Sequence, residues 1–90
     1  MRTAGVAQEA FEKVPSHMRE ALQLYVDEHI EPGSFLRAVL ENDLSRSFAH
    51  ADTINRFALF DIVSYIYNWI PSSCWGSREK VQQWLKGEKP

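Results

Sequence analysis

Thr53-Ile54-Asn55-Arg56-Phe57-Ala58-Leu59-Phe60-Asp61-Ile62-Val63-Ser64-Tyr65-Ile66-Tyr67-Asn68-Trp69 is the stretch that decides the fold. Asp52 stands before it as an N-cap, its carboxylate suited to accept an orphan N–H of the first turn, and Pro71 ends it. Laid out at about 100° per residue, Ile54, Ala58, Leu59, Ile62, Val63, Tyr65, Ile66, Trp69 and Ile70 share one half of the circumference. Thr53, Asp61, Ser64 and Asn68 form a narrow polar strip opposite, bordered on both sides by Phe57, Phe60 and Tyr67. A helix apolar over so much of its girth is expected to touch neighbours on more than one side. The pattern predicts a central helix at about 53–69.

Upstream, Phe35, Leu36, Val39, Leu40 and Leu44 repeat at a helical period after Pro32-Gly33-Ser34, the sharpest turn signal in the chain. Asn42-Asp43 is expected to break that helix, because both side chains offer hydrogen bonds that compete with the helical backbone. A short helix at about 44–51 should follow and bury Leu44, Phe48 and Ala51. Before the turn, a helix at about 16–30, capped by Ser16, aligns Met18, Ala21, Leu22, Tyr25 and Val26 on its inner face. Ala7, Ala10, Phe11 and Val14 give a weaker first pattern that Pro15 stops. Downstream, Ser77 caps a last helix at about 78–86, with Val81, Trp84 and Leu85 inward and Gly87 as its C′ residue.

No run alternates apolar and polar residues long enough to read as a strand. The expected fold is therefore all-α, a compact bundle of five or six short helices around the central one. Residues 1–14 read as a weakly helical or partly disordered N-terminal segment, and 15–87 as a single helical domain. The expected core is Leu22, Tyr25, Phe35, Leu36, Val39, Leu40, Phe48, Ile62, Ile66, Trp69 and Trp84.

Composition agrees with one small globular domain. At 90 residues and 44% hydrophobic, the chain buries about 64% of its unfolded surface by size scaling, enough for a core without metal or disulfide. A single Cys rules out a disulfide framework within the chain. Ten Lys+Arg against twelve Asp+Glu leave a formal charge of −2, which argues against non-specific binding to nucleic acid or membrane. The N-terminus has no apolar stretch of a targeting signal, and the most apolar run, 57–70, falls short of the roughly 20 apolar residues of a membrane span. No membrane association is expected, and the expected compartment is the cytoplasm.

Catalytic and metal chemistry find little support in the spacing. His17, His29, His50 and Cys74 are never three or four residues apart, so no metal site is expected. Cys74 lies shortly before a helix start, yet it reads as a buried thiol in a tight turn rather than a nucleophile. Gly5, Gly33, Gly76 and Gly87 are isolated, so there is no phosphate-cradling loop. The chain is expected to be non-enzymatic and free of cofactors. The helices on either side of Pro32-Gly33 outline a helix-turn-helix, whose reading face would offer Ser34, Arg37, Ala38 and Glu41. One cation there is few for base and phosphate contacts, so a plain helical hairpin is favoured and DNA binding is the alternative.

Aromatic content carries the positive reading. Three Trp, three Tyr and five Phe are eleven rings in 90 residues, more than a core of this size needs. Surplus rings at a surface are typical interface anchors. Phe57, Phe60 and Tyr67 are the candidate partner-binding residues, unless the first and last helices of the same chain cover them.

Several spaced segments also carry a resemblance. They are His17-Met18-Arg19, Pro32-Gly33-Ser34-Phe35-Leu36 with Ala38-Val39-Leu40, Asn42-Asp43-Leu44, Ala51-Asp52 with Asn55, Leu59-Phe60-Asp61-Ile62-Val63, Tyr67-Asn68, and Cys74-Trp75-Gly76-Ser77 with Trp84. Over about residues 15–85 the chain resembles a family of small uncharacterised helical proteins encoded by bacteriophages, prophages and related mobile elements. The shared positions are turn and core residues rather than a catalytic pattern. The resemblance implies an accessory protein that binds a bacterial host protein, or itself as a homo-oligomer, in the host cytoplasm. Inhibition of a host defence complex, as by anti-CRISPR proteins, is a further alternative it implies.

Overall fold

The computed structural model describes residues 4–87. Among them the chain forms α1 (Ala4–Glu12), α2 (Ser16–Glu28), α3 (Ser34–Leu40), α4 (Leu44–His50), α5 (Thr53–Trp69), a 3-10 turn (Ser72–Cys74) and α6 (Arg78–Leu85). The protein is an all-α bundle, as the periodicities predict. Of the N-terminal segment expected over 1–14, residues 1–3 lie outside the described residues.

Side-chain caps set three of the helix starts. Asp43 Oδ1 accepts from the Arg46 N–H at 3.1 Å, Asp52 Oδ1 from the Asn55 N–H at 2.7 Å, and Ser77 Oγ from the Lys80 N–H at 3.2 Å. Each such cap is worth about 1 kcal/mol. At α2 the expectation needs correcting: Pro15 holds the N-cap position, and Ser16, the first helical residue, makes no capping bond. Proline's ring holds φ near the value a helix entry requires, and Ser16, already helical one residue later, does not have the extended backbone from which a side chain caps the first-turn N–H groups. Between α3 and α4 the break at Asn42-Asp43 is made by Asn42 in the left-handed region, φ 63°, a conformation its short polar side chain tolerates.

The most enclosed helix is α3 rather than the long α5. Phe35, Leu36, Ala38, Val39 and Leu40 are all buried, five of its seven residues. Length explains the difference. Seven residues span about 10 Å and can be covered on every side, whereas the 17 residues of α5 span about 25 Å and outrun their neighbours. On α5 only Asn55, Ile62 and Ile66 are fully buried. Ile54 and Val63, expected on its inner half, are 60% and 38% exposed. Leu22 and Tyr25 of α2, Val81 of α6, Ala51, Cys74 and Val14 complete the core, with Trp84 packed at its edge and Trp69 half-buried. Val14 is fully buried, and Arg19 of α2 fastens the chain before it by donating to the carbonyls of Val14 and Glu12 at 2.9 and 2.6 Å.

The expected burial of α4 is overturned. Leu44 is 71% and Phe48 57% exposed, while Ser47 and Ala51 face inward. The Asn42-Asp43 turn is short and locked: Asp43 donates its N–H to the Ala38 carbonyl at 2.9 Å, and Ser47 Oγ donates to the Asp43 carbonyl at 2.6 Å. That geometry turns the small side chains toward α3. Close approach of the two helices then leaves no room for Leu44 or Phe48 beneath.

Polar contacts, one buried and two half-buried, tie α2 and its C-cap residue to the C-terminal third. The Tyr25 hydroxyl donates to the Cys74 carbonyl at 2.6 Å, Trp84 Nε1 donates to the Tyr25 carbonyl at 2.8 Å, and His29 Nδ1 donates to the Trp84 carbonyl at 2.6 Å. Burial pushes the Tyr25 hydroxyl well above its ordinary range and raises Tyr65 and the Cys74 thiol as well. In the unfolded chain these groups ionise near their ordinary values, about 8.5 for Cys and about 10 for Tyr. Above those values the unfolded state has lost protons that the folded state keeps, so stability falls as pH rises. The melting temperature is expected to hold from pH 7 to about 8.5 and to fall progressively toward pH 11. Tyr25→Phe should flatten the part above pH 10. A pH series of melts followed by circular dichroism checks both, and a flat series to pH 11 would contradict the burial.

Candidate functional site

The outer face of α5 follows from its inner one. With Asn55, Ile62 and Ile66 turned into the core, residues 57, 60, 64 and 67 must lie on the opposite side. Phe57, Phe60 and Tyr67 are 87%, 82% and 72% exposed, so neither α1 nor α6 covers them. An aromatic side chain buries about 150–250 Å² on full contact, so the three rings present roughly 500 Å² of largely apolar surface. That is as large as the principal apolar patch of a typical monomer.

The face continues beyond α5. A shallow groove of about 160 Å³ opens between α4 and α5, lined by Val39, Leu44, Ser47, Leu59, Val63 and Trp75 among others. It has room for one aromatic or aliphatic side chain, well short of the roughly 300–1,000 Å³ of a cofactor pocket. The Tyr67 ring meets Trp75 edge-on with centroids 6.2 Å apart, which joins the rings to this groove. Phe48, exposed rather than core, lies under the Arg56 guanidinium at 5.3 Å from its ring centroid. Leu44 and Phe48 are the part of the surface that sequence reasoning missed. Their i, i+4 spacing was visible, but Ser47 and Ala51 share it, and only the turn before α4 decides which pair faces inward.

The alternative nucleic-acid residues are placed differently. Of the reading face expected on α3, only Ser34 is exposed; Ala38 and Glu41 are buried. Arg37 is held by two carboxylates, Nη1 donating to Glu31 Oε1 at 2.5 Å and Nε to Glu41 Oε2 at 3.1 Å. A reading helix needs an open face to enter a groove and free cations to meet phosphates. α3 has no open apolar or basic face of that kind.

Cys74 is completely buried, and burial raises its thiol, against a smaller lowering by a hydrogen bond with Ser73. A protonated thiol with no exposed surface is a poor nucleophile. Among the described residues no three of His, Cys, Asp and Glu converge on a common point, and no helix is long and apolar enough to cross a membrane. Asn55 Oδ1 is buried with no hydrogen-bond partner among the described residues, a cost of about 1–3 kcal/mol on the inner side of α5, away from the exposed rings. Set against known families, curated proteins and solved structures, the chain matches no family model, no curated protein and no solved structure.

Proposed function

We propose that this chain is a non-enzymatic protein-binding module whose contact surface is the outer face of α5, with Phe57, Phe60 and Tyr67 as anchors. One observation carries the reading: a complete core forms without these rings, and all three stand more than 70% exposed on a single helix. Rings in that position add little to the core and cost solubility by being exposed, which supports a use in contact with another molecule. The resemblance to phage and prophage proteins supplies a setting, an accessory protein acting on a bacterial host protein or on a second copy of itself.

The test separates contact from stability. Phe60→Ser and Tyr67→Ser are each expected to weaken binding by at least roughly 30-fold, the effect of losing an anchor of about 2 kcal/mol. Each should move the melting temperature by no more than about 3 °C. Association is read by photocrosslinking from a benzophenone side chain at position 57 in bacterial cells, and stability by circular dichroism of dilute chain, at a concentration where binding between copies adds nothing to the melting temperature. A fall in melting temperature above about 10 °C would show the rings to be structural and overturn the proposal.

A further inference from the structure

The charges beside the rings point to the occupant of this face. Building on the reading of α5 as a contact surface, we infer that it pairs with α5 of a second copy of this chain, parallel and in register. Phe57, Phe60, Ser64 and Tyr67 follow at steps of three, four and three, the spacing of the a and d positions in a two-stranded coil, and Thr53 extends the seam backwards. Asn55 and Ile62 then fall at f, opposite the seam, and both are buried in their own subunit. The seam is satisfied only from outside.

On the same heptad Arg56 stands at g and Asp61 at e, the two positions flanking the seam. In a parallel, in-register pair each g residue meets the e residue of the following heptad on the other helix, five positions further along. Arg56 of each copy therefore faces Asp61 of the other, and the twofold axis makes the contact twice. Both charges are free for it, since neither forms an ion pair among the described residues. Arg56 leans toward α4 over Phe48, and Asp61 lies toward α1, beside a hollow that Lys13 also lines, so the two stand on opposite margins. Antiparallel pairing sets e against e and brings the two Asp61 carboxylates together. Charge thus selects the parallel orientation. Ser64, small and between the rings, lets the helices approach closely.

The area suffices. The rings supply roughly 500 Å² per copy. Leu44, Phe48 and Val63, exposed on the Arg56 side, bring the face toward the roughly 800 Å² per partner of a standard interface.

Sedimentation equilibrium of the full chain tests the pairing. The wild type is expected to be a dimer. Arg56→Asp and Asp61→Arg each turn two attractions into two repulsions and should weaken the dimer by about tenfold or more, and the double swap should restore it. Ser64→Cys should form a disulfide-linked dimer of unchanged helicity on mild oxidation, because a parallel, in-register seam sets residue 64 against itself, whereas the antiparallel pairing that overlaps the same rings sets it against residue 60. A wild type that stays monomeric to millimolar concentration overturns the pairing. If Phe60→Ser and Tyr67→Ser still leave the melting temperature in place, the face then belongs to a different protein. A dimer in which the double swap fails to restore association and Ser64→Cys does not cross-link overturns the parallel register.

Discussion

Replacing Tyr25 with alanine is expected to lower the melting temperature by roughly 15–30 °C, a large effect for a truncation to alanine. Tyr25 is the largest of the fully buried side chains. Removing a buried aromatic costs about 3–5 kcal/mol through lost transfer energy and the cavity left behind. For a domain of this size each 1 kcal/mol shifts the midpoint by about 4–8 °C. The total stability of such a domain is about 5–13 kcal/mol, so the variant would retain a fold with little margin.

The hydroxyl adds a separable part. It donates to the Cys74 carbonyl at 2.6 Å between two fully buried residues, so Tyr25→Phe leaves a buried acceptor unpaired at a cost of about 1–3 kcal/mol. The difference between the two variants measures the ring against the hydrogen bond. Thermal melts at pH 7 provide it. If Tyr25→Phe were as damaging as Tyr25→Ala, the tie between α2 and the 3-10 turn would outweigh the packing of the ring. If Tyr25→Ala cost under about 2 kcal/mol, the site would be collapsing around the truncation.

Much of this core was legible in the sequence because its signals are local and redundant. Leu22, Tyr25, Phe35, Leu36, Val39, Leu40, Ile62 and Ile66 sit at helical spacing between turn residues, and all are buried. Asp52 and Ser77 precede helices and cap them. What was not legible depends on how one element meets the next. The same i, i+4 spacing in α4 serves Leu44 with Phe48 and Ser47 with Ala51, and the choice is made by the bond from Asp43 N–H to the Ala38 carbonyl. Glu41 reads as a solvated charge on the end of α3, yet its side chain is 4% exposed. The candidate surface was half legible. Phe57, Phe60 and Tyr67 fall beside a polar strip on the helical wheel, whereas the extension over α4 needed the tertiary arrangement.

Glu41 leads to the second large effect: Arg37→Met with Arg46→Met is expected to cost about 2–4 kcal/mol, seen as a fall in melting temperature of roughly 10–25 °C. Glu41 Oε2 accepts from Arg37 Nε and Oε1 from Arg46 Nη1, each at 3.1 Å, so both oxygens of a buried carboxylate are paired. With both arginines gone the charge remains in the interior unsatisfied, the costliest way to break a buried pair. Arg37 and Arg46 keep side-chain exposures of 25% and 42%, which places the effect below that of a fully enclosed pair. Adding Glu41→Met should return most of the lost stability, because desolvation of the carboxylate no longer has to be offset. If the triple variant is no better than the double, the arginine stems matter through packing instead. Restored stability need not restore orientation, however. The cluster spans the end of α3, the Asn42-Asp43 turn and the first turn of α4, so it helps hold Leu44 and Phe48 outward. Amide hydrogen exchange along α4 should therefore stay faster in the triple variant than in the wild type, and weaker association of that variant would connect the buried cluster to the surface it positions.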